Sequence, residues 1–140
     1  MLRLLSKYVV GWIVLVITSV SVVLVPPAAA ADDGNAFADQ VAAVFHRSMA
    51  HWKLDYTKQP NRKAGVACIQ WGRLDAAYLD SGIFEALGFS YSMAEDEGAI
   101  NVATQGCERM RTHYKVPDCV CEVVFIGEAV AVTVPEGVGE

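Results

Sequence analysis

The sequence predicts a small α+β domain in which two helices pack on an antiparallel sheet of about four strands, in the order α-β-β-α-β-β, with disulfides holding it together. Three observations predict this class. Two segments have apolar residues at helical spacing, four short segments are β-prone and separated by turn residues, and the chain has 4 cysteines. The composition of the 140-residue chain changes after residue 31. We expect residues 32–134 to form one domain with one modest core, and residues 135–140 to form a flexible tail.

Residues 1–31 are typical of a secretory signal peptide. Arg3 and Lys7 supply a short positive region, residues 8–25 form an apolar run, and a Pro-Pro-Ala-Ala-Ala-Ala stretch ends at Ala31. The apolar run is long enough to reach the lower limit for a membrane span, so an uncleaved anchor is the alternative. A cleaved signal predicts a periplasmic or secreted protein. An anchor predicts a domain that faces outward from the inner membrane.

The charge balance argues against two classes of partner. Without Arg3 and Lys7, nine of the 11 basic residues remain against 16 acidic ones, so the net charge is −7 compared with −5 for the whole chain. Proteins bind phosphate backbones and anionic lipids through clustered cations. We therefore expect no nucleic acid partner, and membrane contact only if residues 1–31 stay attached.

The first predicted element of the domain is a helix over residues 36–52. Asp33 and Asn35 are candidate N-cap residues ahead of it. Its apolar residues recur every three or four positions and form one stripe: Phe37, Val41, Val44, Phe45, Met49 and Trp52. Residues 55–63 are polar and contain a proline, which predicts a loop.

Two β-prone segments follow the loop. Residues 64–72 contain a nearly continuous apolar run, and residues 83–91 alternate between two sets of side chains. The Asp-Ser-Gly turn at residues 80–82 separates them, which predicts an antiparallel pair. Residues 73–80 fit either a continued strand or a helical turn.

The second helix is predicted to begin with a capping box. The Ser92 hydroxyl would accept from the Glu95 amide while the glutamate side chain returns to the serine amide. The apolar residues beyond it lie on one helical face: Ala99, Ile100, Ala103, Cys107, Met110 and Tyr114. Residues 119–126 are then a strand, residues 127–128 a Gly-first hairpin turn, and residues 129–134 a returning strand.

The four cysteines are the strongest signal in the sequence. Cys68, Cys107, Cys119 and Cys121 all follow residue 31, and an even number of cysteines in an exported domain is typical of a disulfide framework. Cys119 cannot pair with Cys121, because strand residues two apart are about 6.6 Å apart with parallel side chains. Two pairings remain open. Free thiols and a four-cysteine zinc site are the alternatives, but Cys-x-Cys lacks the spacing of structural zinc modules, so we expect no metal and no cofactor.

The sequence contains no group of residues that converges on a catalytic centre. The histidines are expected to be exposed on helices: His46, His51 and His113. Asp75, Asp80 and Glu85 are candidate carboxylates for acid-base chemistry, but nothing in the sequence fixes their separation. We therefore expect no catalytic residues.

Several short motifs lie between residues 87 and 134: Gly-Phe-Ser-Tyr-Ser at 88–92, Ala-Glu at 94–95, the Ala-to-Cys stretch at 103–107, Cys-Glu-Val-Val at 121–124 and Ala-Val-Ala-Val at 129–132. Together they resemble a family of small exported bacterial proteins, the domain of unknown function numbered 4189. The resemblance implies an exported, disulfide-linked α+β module without an established activity. It also favours Cys107 paired with Cys121 and Cys68 paired with Cys119. Cys119 is an addition to the family pattern, and the return strand lacks a cysteine often placed near Glu128.

Small size, export and the lack of a catalytic set lead us to expect a non-catalytic binding or envelope-interaction module. Its partner would be an unknown protein or an envelope component. Two alternatives are a small periplasmic hydrolase that acts on cell-wall polymer through acids such as Asp75 or Asp80, and a membrane-anchored assembly subunit.

Overall fold

The computed structural model describes residues 33–138. These residues form a four-stranded antiparallel sheet with a long helix on each face. The elements in chain order are α1 (Asp33–His51), β1 (Ala64–Ile69), a 3-10 turn (Trp71–Arg73), α2 (Ala76–Ser81), β2 (Leu87–Ser90), α3 (Asp96–Tyr114), β3 (Val120–Ile126) and β4 (Ala129–Val130). The strand order is β2-β1-β3-β4. The α+β class is therefore confirmed. The predicted signal peptide, residues 1–31, lies outside the described residues, among which no helix is long and apolar enough to cross a membrane.

Strand β1 is buried on both faces. All six of its residues are buried, and they alternate between two core clusters. Val66 and Cys68 pack with α3, whereas Ala67 and Ile69 pack with α1, as the two-residue period of a strand requires. The near-continuous apolar sequence of β1 follows from this double burial.

Helix α1 covers one face of the sheet with the predicted stripe, of which all members except Trp52 are buried. Phe45 lies directly over β1 at Gly65, where an added β-carbon would be 2.5 Å from the Phe45 ring. The glycine thus makes room for the ring. The described part of the helix starts at Asp33, so the helix includes the three residues before the predicted start.

Helix α3 covers the other face and contacts β2 through its backbone. A β-carbon on Gly88 would be 1.9 Å from the carbonyl oxygen of Ala103 and 2.4 Å from the amide nitrogen of Cys107. Gly106 also lies against this point, since its own β-carbon would be 3.3 Å from the Gly88 Cα. No side chain fits between strand and helix here, so the backbones of α3 and β2 are in direct contact.

The predicted strand over residues 83–91 was wrong in its first half. The Phe84 amide donates to the Ser48 hydroxyl of α1 at 2.8 Å, and the Ile83 carbonyl accepts from the Tyr78 hydroxyl at 2.5 Å. These hydrogen bonds attach residues 83–84 to α1 and α2 instead of to a neighbouring strand, so β2 begins only at Leu87. The predicted first strand, residues 64–72, was wrong at its end, because β1 stops at Ile69 and a 3-10 turn follows at Trp71–Arg73. The ambiguous residues 73–80 lead into and form most of α2.

The predicted capping box was also wrong. Ser92 has a left-handed backbone conformation with φ of 55°, and α3 begins at Asp96 without a side-chain cap. Arg62, which precedes β1, holds the turn before α3. The Met93 amide donates to the Arg62 carbonyl at 3.1 Å, and the Arg62 guanidinium donates to the Ala94 carbonyl. Tertiary hydrogen bonds therefore replace the local box.

The return strand is shorter than the predicted residues 129–134. Gly127 turns the chain with φ of 61°, as the Gly-first turn predicts, and β4 contains two residues. The Ala131 amide then donates to the Val124 carbonyl at 2.9 Å, and the chain leaves the sheet. Val132 is buried against the α1 side of the sheet, and Val138 packs partly buried on the same core.

Two disulfides join the sheet to α3 and to the loop before β3. Cys68 bonds Cys119 and Cys107 bonds Cys121, the two pairs that the family resemblance favours. Cys68 lies opposite Cys121 in the β1–β3 register, and the sulfur atoms of Cys68, Cys107 and Cys121 lie within 4.8 Å of one another. Sulfurs joined in disulfides are not available as zinc ligands. Disulfides of this kind are typical of oxidising compartments outside the cytoplasm.

We expect the two disulfides to stabilise the fold unequally. The Cys68→Ala/Cys119→Ala variant should lose about 4 kcal/mol of unfolding free energy, because this bridge spans a sequence separation of 51. The Cys107→Ala/Cys121→Ala variant should lose about 3 kcal/mol for a separation of 14. Urea unfolding without reductant measures both losses.

Thiol alkylation followed by mass measurement is the control for this comparison. Both double variants should show no alkylated thiol, since the other pair remains bridged. A mixed variant, Cys68→Ala/Cys107→Ala, should show two. Free thiols in either matched double variant would contradict the pairing.

Candidate functional site

A cleft of about 450 Å³ lies along the outer edge of β2. Leu87, Gly88 and Phe89 of the strand form its floor. The chain that leaves α1 forms one wall, and α3 forms the other: Trp52 and Leu54 on the first, Gly106, Arg109 and Met110 on the second. The cleft thus lies where the C-terminal ends of the two long helices meet the edge of the sheet.

The floor presents backbone hydrogen-bonding groups that β1 does not use. The Cys68 amide donates to the Ala86 carbonyl, and the register then pairs Val66 with Gly88. Because alternate residues of an antiparallel strand bond to the same neighbour, Leu87 and Phe89 point their amides and carbonyls away from β1. The hydrogen bond of the Leu87 amide supports this orientation, because the amide donates to the Met110 sulfur of α3 with a nitrogen–sulfur distance of 3.5 Å.

The wall from α1 is fixed by the way that helix ends. Lys53 has a left-handed conformation with φ of 61°, its amide donates to the Ala50 carbonyl, and the Leu54 amide donates to the Met49 carbonyl at 3.0 Å. These two bonds form a Schellman motif. The motif reverses the chain immediately after the helix, which leaves Trp52 and Leu54 beside the floor.

Helix α3 ends in the same way. Lys115 has a left-handed conformation with φ of 54°, and the amides of Lys115 and Val116 donate to the carbonyls of Thr112 and Arg111. A lysine therefore occupies the left-handed position after both helices. A glycine is the usual residue there, so both helices end without the common glycine signal in the sequence.

Aromatic side chains remain exposed around the cleft. Trp52 is 41% exposed and Tyr114 is 49% exposed, although both were predicted on buried helical faces. Their ring centroids are 6.1 Å apart, so the two helix ends contact each other here. Tyr91, also exposed, stacks on Phe89 of the floor. The prediction failed because both residues lie at helix ends, beyond the edge of the sheet.

The charged residue among those that line the cleft is a cation. Arg109 lines it, and Lys53 and Lys115 follow the two converging helices. None of the three has an ion-pair partner among residues 33–138. Cations at helix C-termini complement the helix dipole, which explains the occurrence of Lys53 and Lys115. Arg109 lies five residues before the end of α3, so its guanidinium is available to bind an anionic group.

A second polar cluster surrounds Lys63, which is fully buried at the start of β1. Its ammonium donates to the carbonyls of Tyr56, Thr57 and Gln59 at 3.0 to 3.3 Å and pairs with the Glu128 carboxylate at 2.5 Å. The Tyr56 hydroxyl donates to the Gly127 carbonyl, and burial raises the pKa of Tyr56. The cluster fastens the polar loop to the β3–β4 turn, and every proton of the ammonium is engaged. We assign it a structural role.

His46 lies beside this cluster instead of being fully exposed as predicted. Its ring packs 4.8 Å from the Phe125 ring and 6.0 Å from the Tyr56 ring, measured between centroids. Burial lowers the pKa of His46 below its ordinary value of 6.5, although the Asp55 and Glu128 carboxylates act in the opposite direction. His51 and His113 are exposed, as predicted.

The carboxylates considered for catalysis have separate surroundings. Asp75 caps α2, where its side chain accepts from the Tyr78 amide at 2.8 Å. Asp80 lies exposed in the last turn of that helix, and Glu85 pairs with Arg73 at 3.8 Å. Helix capping by Asp75 and the ion pair of Glu85 account for the positions of these two carboxylates without a catalytic role.

Comparison of the chain with protein-family models, with curated protein sequences and with solved structures gives no match. The resemblance to the domain of unknown function numbered 4189 therefore stays a prediction.

Replacement of Lys63 should destabilise the fold strongly. Lys63→Met leaves three carbonyls and a carboxylate without their buried donor, so we expect a loss of roughly 3 kcal/mol in unfolding free energy. Glu128→Gln is the matched control and should lose about 1 kcal/mol, because the Glu128 side chain is mostly exposed and the carbonyls still hold the ammonium. Urea unfolding measures both. Equal losses of unfolding free energy in the two variants would contradict the structural role of the three carbonyls that accept from Lys63.

His46 should make stability depend on pH. The pKa of His46 is lower in the folded protein than its ordinary 6.5, so its contribution is fully present above pH 6.5 and is lost as the pH falls toward the lowered pKa. We expect the unfolding free energy of His46→Gln to change less than that of the unmodified protein between about pH 7.5 and 5. His113→Gln, which replaces an exposed histidine, is the control and should retain the original pH profile. Identical profiles for both variants would contradict the assignment.

Proposed function

We propose that this protein is an exported, non-catalytic binding module that holds a partner in the β2 cleft. The cleft carries the proposal, because it combines an apolar surface with unused backbone donors and acceptors. Four of the exposed large hydrophobic side chains belong to it or contact its lining: Trp52, Leu54, Tyr91 and Tyr114. Exposed apolar surface gathered at one place is typical of a binding site.

Export to the periplasm or beyond is part of this proposal. The signal-like composition of residues 1–31 supports it, and two disulfides suit an oxidising compartment. The partner would then be a protein or another component of the cell envelope. The carboxylates Asp75 and Asp80 give no comparable support to a hydrolase, since one caps a helix and the other lies at its exposed end.

Site-specific photo-crosslinking of the full-length protein in its own cells tests the proposal. A photoreactive residue replaces Leu54 in the cleft, and a second variant carries it at Val130 of β4, on the opposite edge of the sheet. The two positions are matched, since Leu54 is 36% exposed and Val130 is 38% exposed. We expect adducts of discrete mass from position 54 alone.

Competition establishes that these adducts are specific. Excess unlabelled protein should suppress the adducts at position 54, whereas excess Trp52→Ala protein should suppress them roughly tenfold less effectively, since exposed tryptophans are common binding determinants. Equal labelling at positions 54 and 130, or equal competition by both proteins, would overturn the proposal.

A further inference from the structure

We propose that the partner of the β2 cleft is an extended, acidic peptide segment of another protein, which adds a fifth strand to the sheet along β2. This inference rests on the proposed function and specifies the chemistry of its ligand. Three independent features of the cleft lead to it: the free backbone groups of its floor, its shape and its charge.

The floor is suited to an extended backbone. The amide and carbonyl of Phe89 and the carbonyl of Leu87 point outward from β2. Among residues 33–138, only the Leu87 amide of this set has a partner, the weakly accepting sulfur of Met110. A peptide that lies antiparallel or parallel to β2 satisfies these groups with its own main chain. Strand addition of this kind gives affinity through the backbone and specificity through alternate side chains.

The shape of the cleft selects a single chain over a second copy of this protein. The free edge is recessed between Trp52 and Leu54 on one wall and Arg109 and Met110 on the other. Two recessed edges cannot approach to the roughly 4.8 Å that neighbouring strands require, because the walls of both copies would collide first. A lone extended segment enters without this collision.

The opposite edge of the sheet shows the contrast. Strand β4 contains two residues, Ala129 and Val130, both exposed. Short edge strands are poor templates for pairing. Strand β2 is longer and lies in a cleft, so peptide addition is expected at β2 alone.

The charge of the cleft selects acidic peptides. Arg109 is the charged residue among its lining residues, and its guanidinium has no ion-pair partner among the described residues. Lys53 and Lys115 follow the helices that form the walls. Because the chain as a whole has a net charge of −5, attraction of a carboxylate-bearing segment depends on the local charge of Arg109.

The two walls predict the side-chain pattern of the peptide. Side chains of an added strand alternate between the α1 side, where Trp52 and Leu54 lie, and the α3 side, where Arg109 lies. Apolar residues should therefore alternate with Asp or Glu.

Titration of the disulfide-bonded protein with defined peptides tests the inference. The probe is the blocked peptide Thr-Val-Glu-Val-Glu-Val-Thr, and the matched peptide has Lys in place of both Glu residues. We expect the acidic peptide to bind at least roughly tenfold more tightly. The Phe89 amide should exchange with solvent at least roughly tenfold more slowly when the peptide is bound, whereas the Gly88 amide, already directed at β1, should keep its rate.

Charge variants complete the test. Arg109→Glu should reverse the preference between the two peptides, and Lys58→Glu, which removes an exposed cation outside the cleft lining, should leave it unchanged. Sedimentation at the same concentrations should show a monomer. No preference for the acidic peptide, no slowing at Phe89, or a dimer that pairs through β2 would each overturn the inference.

The crosslinking experiment separates this inference from the proposed function. Specific adducts at position 54 without peptide binding would overturn strand addition and leave a binding module that recognises another chemistry. Failure of both experiments would overturn both proposals.

Discussion

The contact between Gly88 and the backbone of α3 is the constraint on which the arrangement of this protein depends. Any side chain at this position would collide with the carbonyl oxygen of Ala103. The close approach lets the Ser90 hydroxyl donate to the Ala99 carbonyl at 2.7 Å, and it brings Cys107 to the sheet, where it bonds Cys121. Strand pairing, a buried hydroxyl and a disulfide therefore all rely on one missing side chain.

The same contact creates the cleft. Because α3 lies directly on β2 and α1 covers the other face, the C-terminal ends of both helices reach the outer edge of that strand. No further element covers this edge in the described residues. Trp52 and Tyr114 touch each other there and remain about half exposed. The cleft is thus a consequence of two helices that cover opposite faces of a sheet and end at one side of it.

The disulfides and the Lys63 cluster lie apart from the side chains of Trp52, Leu54 and Arg109 that line the cleft. The disulfides join β1, β3 and α3 in the interior, and Lys63 fastens the polar loop to the β3–β4 turn. The side chains of Trp52, Leu54 and Arg109 are exposed. Exposed positions tolerate substitution with small changes in stability, so we expect replacements of these three side chains to leave the fold intact.

The sequence by itself determined the fold class, the existence of the two long helices and the buried stripe of α1, because these depend on hydrophobic periodicity within one segment. It also identified the cysteines as a disulfide framework and the Gly-first turn at Gly127, because composition and local turn chemistry carry those signals. Geometry reduced the cysteine pairings to two, and a family resemblance favoured the pair of bridges that the structure contains.

Only the tertiary structure decided where β2 begins, how α3 starts and which residues surround the cleft. Hydrogen bonds with distant residues override the local patterns at these points: the Phe84 amide donates to the Ser48 hydroxyl, and the Met93 amide donates to the Arg62 carbonyl. Burial of Lys63 and exposure of Trp52 likewise run against the preferences of their residue types. A sequence pattern reports which face of a segment is apolar. Whether that face meets another element depends on contacts between segments far apart in the chain.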